Sequence, residues 1–243
     1  MKISTLLQRG IHHRNFNEDL IYTHSISNDI MVCAVMDGCS SAKDSHFTSS
    51  LFAKSLHKSA RMLPQMKEII EDFDLKTMAL EAIADFFMKQ LFEDLKRAKK
   101  LFFLGREELL STIVLLVIDK KKRTACIKMS GDGIFAVNDE ITEIDQNNIP
   151  NFLGYHLSSD YEDVRDVEIQ TWNFEAVTDI SISTDGIDKL RSGSKNKNPR
   201  KQFLLGKSEI FEESFLQNQY EVLRKKGFVP YDDIGIIRLV IED

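Results

Sequence analysis

Five acid-bearing segments stand where apolar sequence begins or stops. Asp37-Gly38 closes the run Ile30–Met36, Asp185-Gly186 follows Thr178–Ser183, and Asp232-Asp233 opens Ile234–Ile241. Asp132-Gly133 is wedged between two further strand candidates, and Glu18-Asp19 lies near the N-terminus. A carboxylate beside buried sequence carries a desolvation cost unless a cation or hydrogen bonds compensate it. Taken singly, Asp-Gly is a common turn dipeptide, and a hairpin turn accounts for any one of these pairs. Taken together, acids that converge from distant segments would make an oxygen-only site, which suits hard cations such as Mg²⁺ or Mn²⁺.

Other reactive side chains are less organised. His12-His13 and His46 have no second His or Cys at zinc-like spacing, so they read as surface or turn residues. Cys39, close to Asp37, could serve as a thiol nucleophile, but no phosphate-cradling loop follows it, so packing residue or site neighbour is the better reading. Cys33, Cys39 and Cys126 form no CxxC pair or disulfide framework, which fits a reducing compartment and a cytoplasmic location.

Composition narrows the class further. The 243 residues carry 32 Lys+Arg against 38 Asp+Glu, a net charge of -6. An acidic surface repels phosphate backbones, so a nucleic-acid partner is not expected. No membrane association is expected either, since Ile30–Met36 is the longest apolar run and a bilayer span needs about 20 residues. The N-terminus lacks the apolar segment of a secretory signal. The stretch from Arg191 to Lys201 is polar and basic and reads as a surface loop in preference to a docking strip.

The elements that must hold the acids follow from periodicity. Apolar residues recur at helical spacing from Ser45 to Met62 and from about Leu75 to Phe103. Lys96, Arg97, Lys99 and Lys100 on the second tract read as a solvated face. Ser111–Ile118 and Thr124–Ser130 read as a hairpin, followed by strands at Gly133–Val137, Asp163–Trp172, Thr178–Ser183 and Ile234–Ile241. A late helix is expected from about Ser208 to Lys226, closed by Gly227. Trp172 and the 16 Phe read as core packing. Helices segregated from consecutive strands indicate a single α+β domain over residues 1–243, with largely antiparallel sheet in a helix-covered β-sandwich.

The ordered set RNFNED (Arg14–Asp19), VMDG (Val35–Gly38), Ser111-Thr112, SGDG (Ser130–Gly133), STDG (Ser183–Gly186) and DDIG (Asp232–Gly235) resembles the metal-dependent protein phosphatases, the PPM or type 2C Ser/Thr phosphatases. The resemblance implies an antiparallel β-sandwich flanked by helix pairs, a four-layer αββα fold. It implies hydrolysis of phosphoserine and phosphothreonine esters on protein substrates by a hydroxide bridging two Mn²⁺ or Mg²⁺ ions, with a possible third ion. By position, Asp37 resembles the aspartate that bridges both ions, with the Gly38 carbonyl as a further ligand. Asp185 and Asp232 resemble the remaining carboxylates of one ion. Glu18 and Asp19 resemble the acids that hold the other, directly or through water. Asp132 matches a ligand of the third ion, and Arg14 the arginine that grips the substrate phosphate. Arg14, Asp37 and Asp185 are therefore the expected catalytic residues. The stretch from Asp145 to Asp163 falls where family members carry a flap.

The chain also departs from the family pattern. Where the family reads DGHGG or DGMGG, this sequence reads DGCSS over Asp37–Ser41, so Cys39 stands in place of a histidine sometimes assigned as general acid. In the last motif Gly235 replaces a threonine, and Asp232 is preferred as the ligand, with Asp233 in the position usually held by Asn. The altered DGCSS segment motivates the alternative of a catalytically silent module that binds a phosphoprotein or other partner.

Overall fold

The computed structural model describes the chain except residues 72, 148, 149, 193–198, 207–210 and 243. The strands are β1 (Lys2–Gln8), β2 (Asp19–Ser25), β3 (Ile30–Gly38), β4 (Ser111–Asp119), β5 (Thr124–Ser130), β6 (Gly133–Val137), β7 (Glu140–Ile144), β8 (Gln170–Phe174), β9 (Asp179–Ser183), β10 (Leu190–Arg191), β11 (Val229–Pro230) and β12 (Ile234–Val240). The helices are α1 (Ser45–Gln65), α2 (Leu80–Phe102), α3 (Tyr161–Glu168), α4 (Arg200–Leu204) and α5 (Phe215–Lys225). Two antiparallel sheets carry the fold, one ordered β1-β12-β9-β6-β7 and the other β2-β3-β4-β5-β8. The short β10–β11 pair stands apart.

Three apolar layers account for the burial pattern. Ile113, Leu115 and Val117 of β4 face α1 and α2, packing with Phe52, Leu56, Phe87 and Leu91. Val114, Leu116 and Ile118 face the opposite sheet, where Ile180, Ile182, Ile237 and Leu239 meet them. All of β4 is buried because both its faces are covered, which is why its sequence is a continuous apolar run and not an alternation. Ile234 and Ile236 of β12 turn outward to a third layer with Phe203, Phe215 and Leu216 from α4 and α5. The result is helix, sheet, sheet, helix: the four-layer α+β sandwich.

Two segments differ from the sequence reading. The expected strand Asp163–Trp172 is a helix followed by a strand, α3 and then β8. Tyr161 and Val164 recur at helical spacing and bury against the α1–α2 layer, so tertiary packing decides the first half. The second helical tract starts at Leu80, not near Leu75. Much of the Arg191–Lys201 loop and the expected start of the late helix fall outside the described residues. Gly227 follows α5 at φ 81, the left-handed conformation that favours glycine after a helix. Cys33 and Cys126 are buried, and burial pushes their thiols up, that of Cys126 to about 12. Among the described residues no helix is long and apolar enough to cross a membrane.

Candidate active site

The acids meet at one end of the sandwich because both sheets end there. In the β2–β3 ladder Asp19 is directly opposite Asp37, and Asp37 is in turn opposite Thr112 of β4. In the other sheet Ser183 at the end of β9 pairs with Ile236 of β12, so Asp185 and Asp232 leave the sheet as neighbours. Two close approaches fix this end. A side chain at Gly186 would place its first carbon 1.6 Å from the Asp233 carbonyl oxygen, so only glycine lets these loops touch. At Gly38 the same carbon would fall 2.3 Å from the Ser45 carbonyl at the start of α1.

Asp37, Asp132, Asp185 and Asp232 line one cleft of about 250 Å³. Gly38 and the Cys39-Ser40-Ser41 turn form one wall, and Pro150 with Phe152 forms another. The segment bearing Pro150 and Phe152 lies within the expected flap, of which Asn148 and Ile149 fall outside the described residues. Asp19 is buried behind the cleft, where its Oδ2 accepts a hydrogen bond from Thr184 Oγ1 at 2.7 Å. Asp132 Oδ1 accepts one from the Gln146 amide at 2.8 Å.

Electrostatically the cleft is unbalanced. Burial first, then repulsion by Asp19, Asp185 and Asp232, pushes the Asp37 carboxyl well above its ordinary range. Asp19 is raised in the same way, burial outweighing the Thr184 hydrogen bond. Asp185 is pushed up to about 6, again by burial and then by Asp232. Among the described residues no lysine or arginine forms an ion pair with Asp19, Asp37, Asp132, Asp185 or Asp232. Directly opposed like charges on neighbouring strands are destabilising. The donor set is thus several carboxylate oxygens that no lysine or arginine ion pair among the described residues neutralises, which fits hard divalent cations. As they stand, no three His, Cys, Asp or Glu side chains among the described residues are gathered into a coordination shell.

Glu18, Asp232 and Asp233 divide their tasks. Asp233 is buried; its Oδ1 accepts from the Gly10 amide at 2.6 Å and its Oδ2 from the Glu18 amide. That carboxylate is spent on tying the N-terminal loop to the start of β12, whereas Asp232 faces the cleft. Glu18 Oε2 is buried without a hydrogen-bond partner. The Glu18 carbonyl accepts from the Gly38 amide at 3.1 Å, joining the two acid-bearing segments. Arg14 is exposed and is not part of the cleft wall; its carbonyl accepts from Arg9 Nη1 at 3.2 Å.

His13 is the residue the sequence reading misplaced. It does not sit at the surface: its Nδ1 lies 2.8 Å from Asp233 Oδ2, and its Nε2 is 3.6 Å from Glu18 and 3.8 Å from Asp232. Ser40 Oγ is 3.3 Å from the same Nε2. Burial acts to lower the His13 pKa, but the three acids together outweigh it and the net shift is upward. Only the path of the 9–18 loop creates this contact, and no local spacing signals it.

With sandwich and acidic cleft in place, the family assignment follows. The family described as Protein phosphatase 2C matches residues 8–226, and the chain belongs to that family. Its fold is similar to that of a bacterial serine phosphatase, at 15% identity and a TM-score of 0.66, covering 100% of this chain and 98% of the other. It is also similar to the serine/threonine phosphatase Stp1 from Staphylococcus aureus, at 15% identity and a TM-score of 0.65, covering 99% and 95%. RsbX in complex with magnesium aligns at 13% identity and a TM-score of 0.58, covering 97% and 92%. No curated protein matches the sequence significantly.

Proposed function

We propose that this protein hydrolyses phosphoserine and phosphothreonine esters on protein substrates with two Mn²⁺ or Mg²⁺ ions. Asp37, Asp185, Asp232, Glu18, Asp19 and the Gly38 carbonyl would hold them, and Asp132 would help hold a third. One observation carries the reading: four carboxylates from distant segments share a cleft, and among the described residues no lysine or arginine forms an ion pair with them. When bound, divalent ions supply Lewis-acid charge and lower the pKa of attached water towards neutrality.

The chain's own residues then have separable tasks. Burial and mutual repulsion disfavour joint ionisation of Asp19, Asp37 and Asp185, which would couple cation loading to the charge state of the cleft. Asp233 holds the loop that carries Glu18, and Thr184 orients Asp19 through its hydroxyl. Pro150 and Phe152 narrow the cleft and limit bulk water. Arg14, on the mouth-side loop, would present its guanidinium fork to a phosphate arriving from solvent. The free thiols of Cys33, Cys39 and Cys126 suit a cytoplasmic setting.

The test is direct. Purified protein with Mn²⁺ should hydrolyse p-nitrophenyl phosphate and a phosphothreonine peptide, and Asp185→Asn should remove both activities. A protein that leaves both substrates untouched at saturating Mn²⁺ is instead the silent phosphoprotein-binding module, the reading favoured by Cys39 at the cleft wall.

A further inference from the structure

A cleft of about 250 Å³ is sufficient for a phosphate ester, yet the loops beside it expose apolar side chains that no phosphate needs. Ile11, Phe16 and Tyr231 are 57%, 55% and 44% exposed. Two of them are held against imidazole rings. Phe16 stacks on His46 with centroids 3.9 Å apart and planes 10° from parallel, and Tyr231 lies 5.5 Å from His12. Single exposed apolar residues are ordinary, but these three stand on two segments that hydrogen-bond to each other beside the cleft.

Chain connectivity and hydrogen bonds tie these residues to the cleft. Tyr231 directly precedes Asp232, which lines the cleft. The Ile11 amide donates to the Pro230 carbonyl at 2.9 Å, joining the loop to the same strand end. His13, between Ile11 and Phe16, reaches Ser40 on the opposite wall. His46 lies in the first turn of α1, just beyond that wall. The collar therefore runs from Tyr231, past His13, to His46.

We infer that this collar selects the substrate: the protein acts on phosphoserine or phosphothreonine within a polypeptide segment that carries a large apolar side chain next to the phosphorylated residue. The inference rests on the hydrolase reading above and narrows its substrate class. Flat aromatic rings held by stacking offer contact area at low entropic cost, as at protein–protein interfaces. A small phosphate ester enters the cleft without touching them. The collar is a specificity determinant and takes no part in bond cleavage.

The full chain with Mn²⁺ is tested on three substrates: p-nitrophenyl phosphate, a phosphothreonine peptide flanked by Leu and Phe, and the same peptide flanked by Ser and Gly. The expected kcat/KM ratio of apolar-flanked to polar-flanked peptide is about tenfold, equivalent to ~1.4 kcal/mol. The double variant Ile11→Ser with Phe16→Ala should bring that ratio to near one, mainly through KM for the apolar-flanked peptide. Phe103→Ser, an exposed apolar residue just past α2 that does not line the cleft, should keep the wild-type ratio. Thermal melting verifies that the double variant folds; each single substitution reads the same ratio if it does not. A wild-type ratio of one, or a double variant that retains the tenfold preference, overturns the inference while p-nitrophenyl phosphate turnover still upholds the hydrolase. Absence of turnover on all three substrates overturns the hydrolase reading and the collar with it.

Discussion

Two regions of this molecule bury charge, and they do so in opposite ways. Lys128 on β5 is 2% exposed, yet its Nζ lies 2.8 Å from Asp85 Oδ1 and donates to Thr171 Oγ1 at 2.9 Å. Arg238 on β12 is equally buried, donating through Nε to Asp179 at 3.0 Å and through Nη1 to the Phe203 carbonyl at 3.0 Å. Both cations are closed systems whose partners come from within the chain. Of the cleft acids Asp19 is also buried and Asp37 and Asp185 are half-buried, but among the described residues no lysine or arginine forms an ion pair with them. A paired buried charge belongs to the architecture; an unpaired cluster of one sign points outward, to something the chain must acquire.

The sharpest way to break that comparison is to neutralise one member of each set. Asp37→Asn should lower Mn²⁺-dependent kcat/KM on p-nitrophenyl phosphate by about 10³-fold, ~4 kcal/mol of transition-state stabilisation, while the metal-free protein melts at the same temperature or higher. Arg238→Met should do the reverse. It leaves Asp179 without its partner and destabilises the fold by about 3 kcal/mol in denaturant titrations, with residual folded protein fully active per molecule. If Asp37→Asn destabilised the metal-free protein as much as Arg238→Met does, the cleft would be ordinary architecture.

A smaller effect is expected from the cation itself. Mn²⁺ at a hundredfold excess over its dissociation constant should stabilise the wild type by about 2.7 kcal/mol, read as a rise in melting temperature. Asp185→Asn should lose most of that rise.

The smallest effect is in pH, and its sign follows from burial. The Asp185 carboxyl is raised from its ordinary 3.8 to about 6, and Asp19 and Asp37 move in the same direction. For a raised carboxyl the stabilising contribution is fully present below the unfolded pKa and is lost as pH rises through the folded one. The raised His13 adds the same slope. Metal-free protein should therefore melt higher at about pH 5 than at about pH 7.5, and Mn²⁺ should narrow the gap. A metal-free melting temperature that climbs from acid to neutral pH would mean that the acids do not repel one another.

Some of this was legible in the residues. The doubly covered strands β3 and β4 announce themselves as continuous apolar runs, and the acids stand at their ends. The polar strands were not legible. β1 and β2 alternate only weakly because each lies at the edge of its sheet, so the sequence reading passed over them. Asp19 and Asp37 are 18 positions apart, and only the β2–β3 register makes them neighbours. Likewise nothing local distinguishes Asp232 from Asp233. The difference is that Gly10 and Glu18 offer their amides to one of them and not the other.

The β2–β3 pairing has a consequence for how the chain reaches its native state. Strand faces alternate residue by residue, so a slip of β2 by a single position would rotate the Asp19 carboxylate to the far side of its sheet. Such a misaligned chain could still collapse, yet it would have lost half of its paired oxygens. On the proposed two-ion reading, a divalent ion would discriminate among packed conformers, drawing the population toward the one alignment in which both acids face it. Cation availability during refolding should govern the yield of correctly threaded protein as well as its catalytic rate.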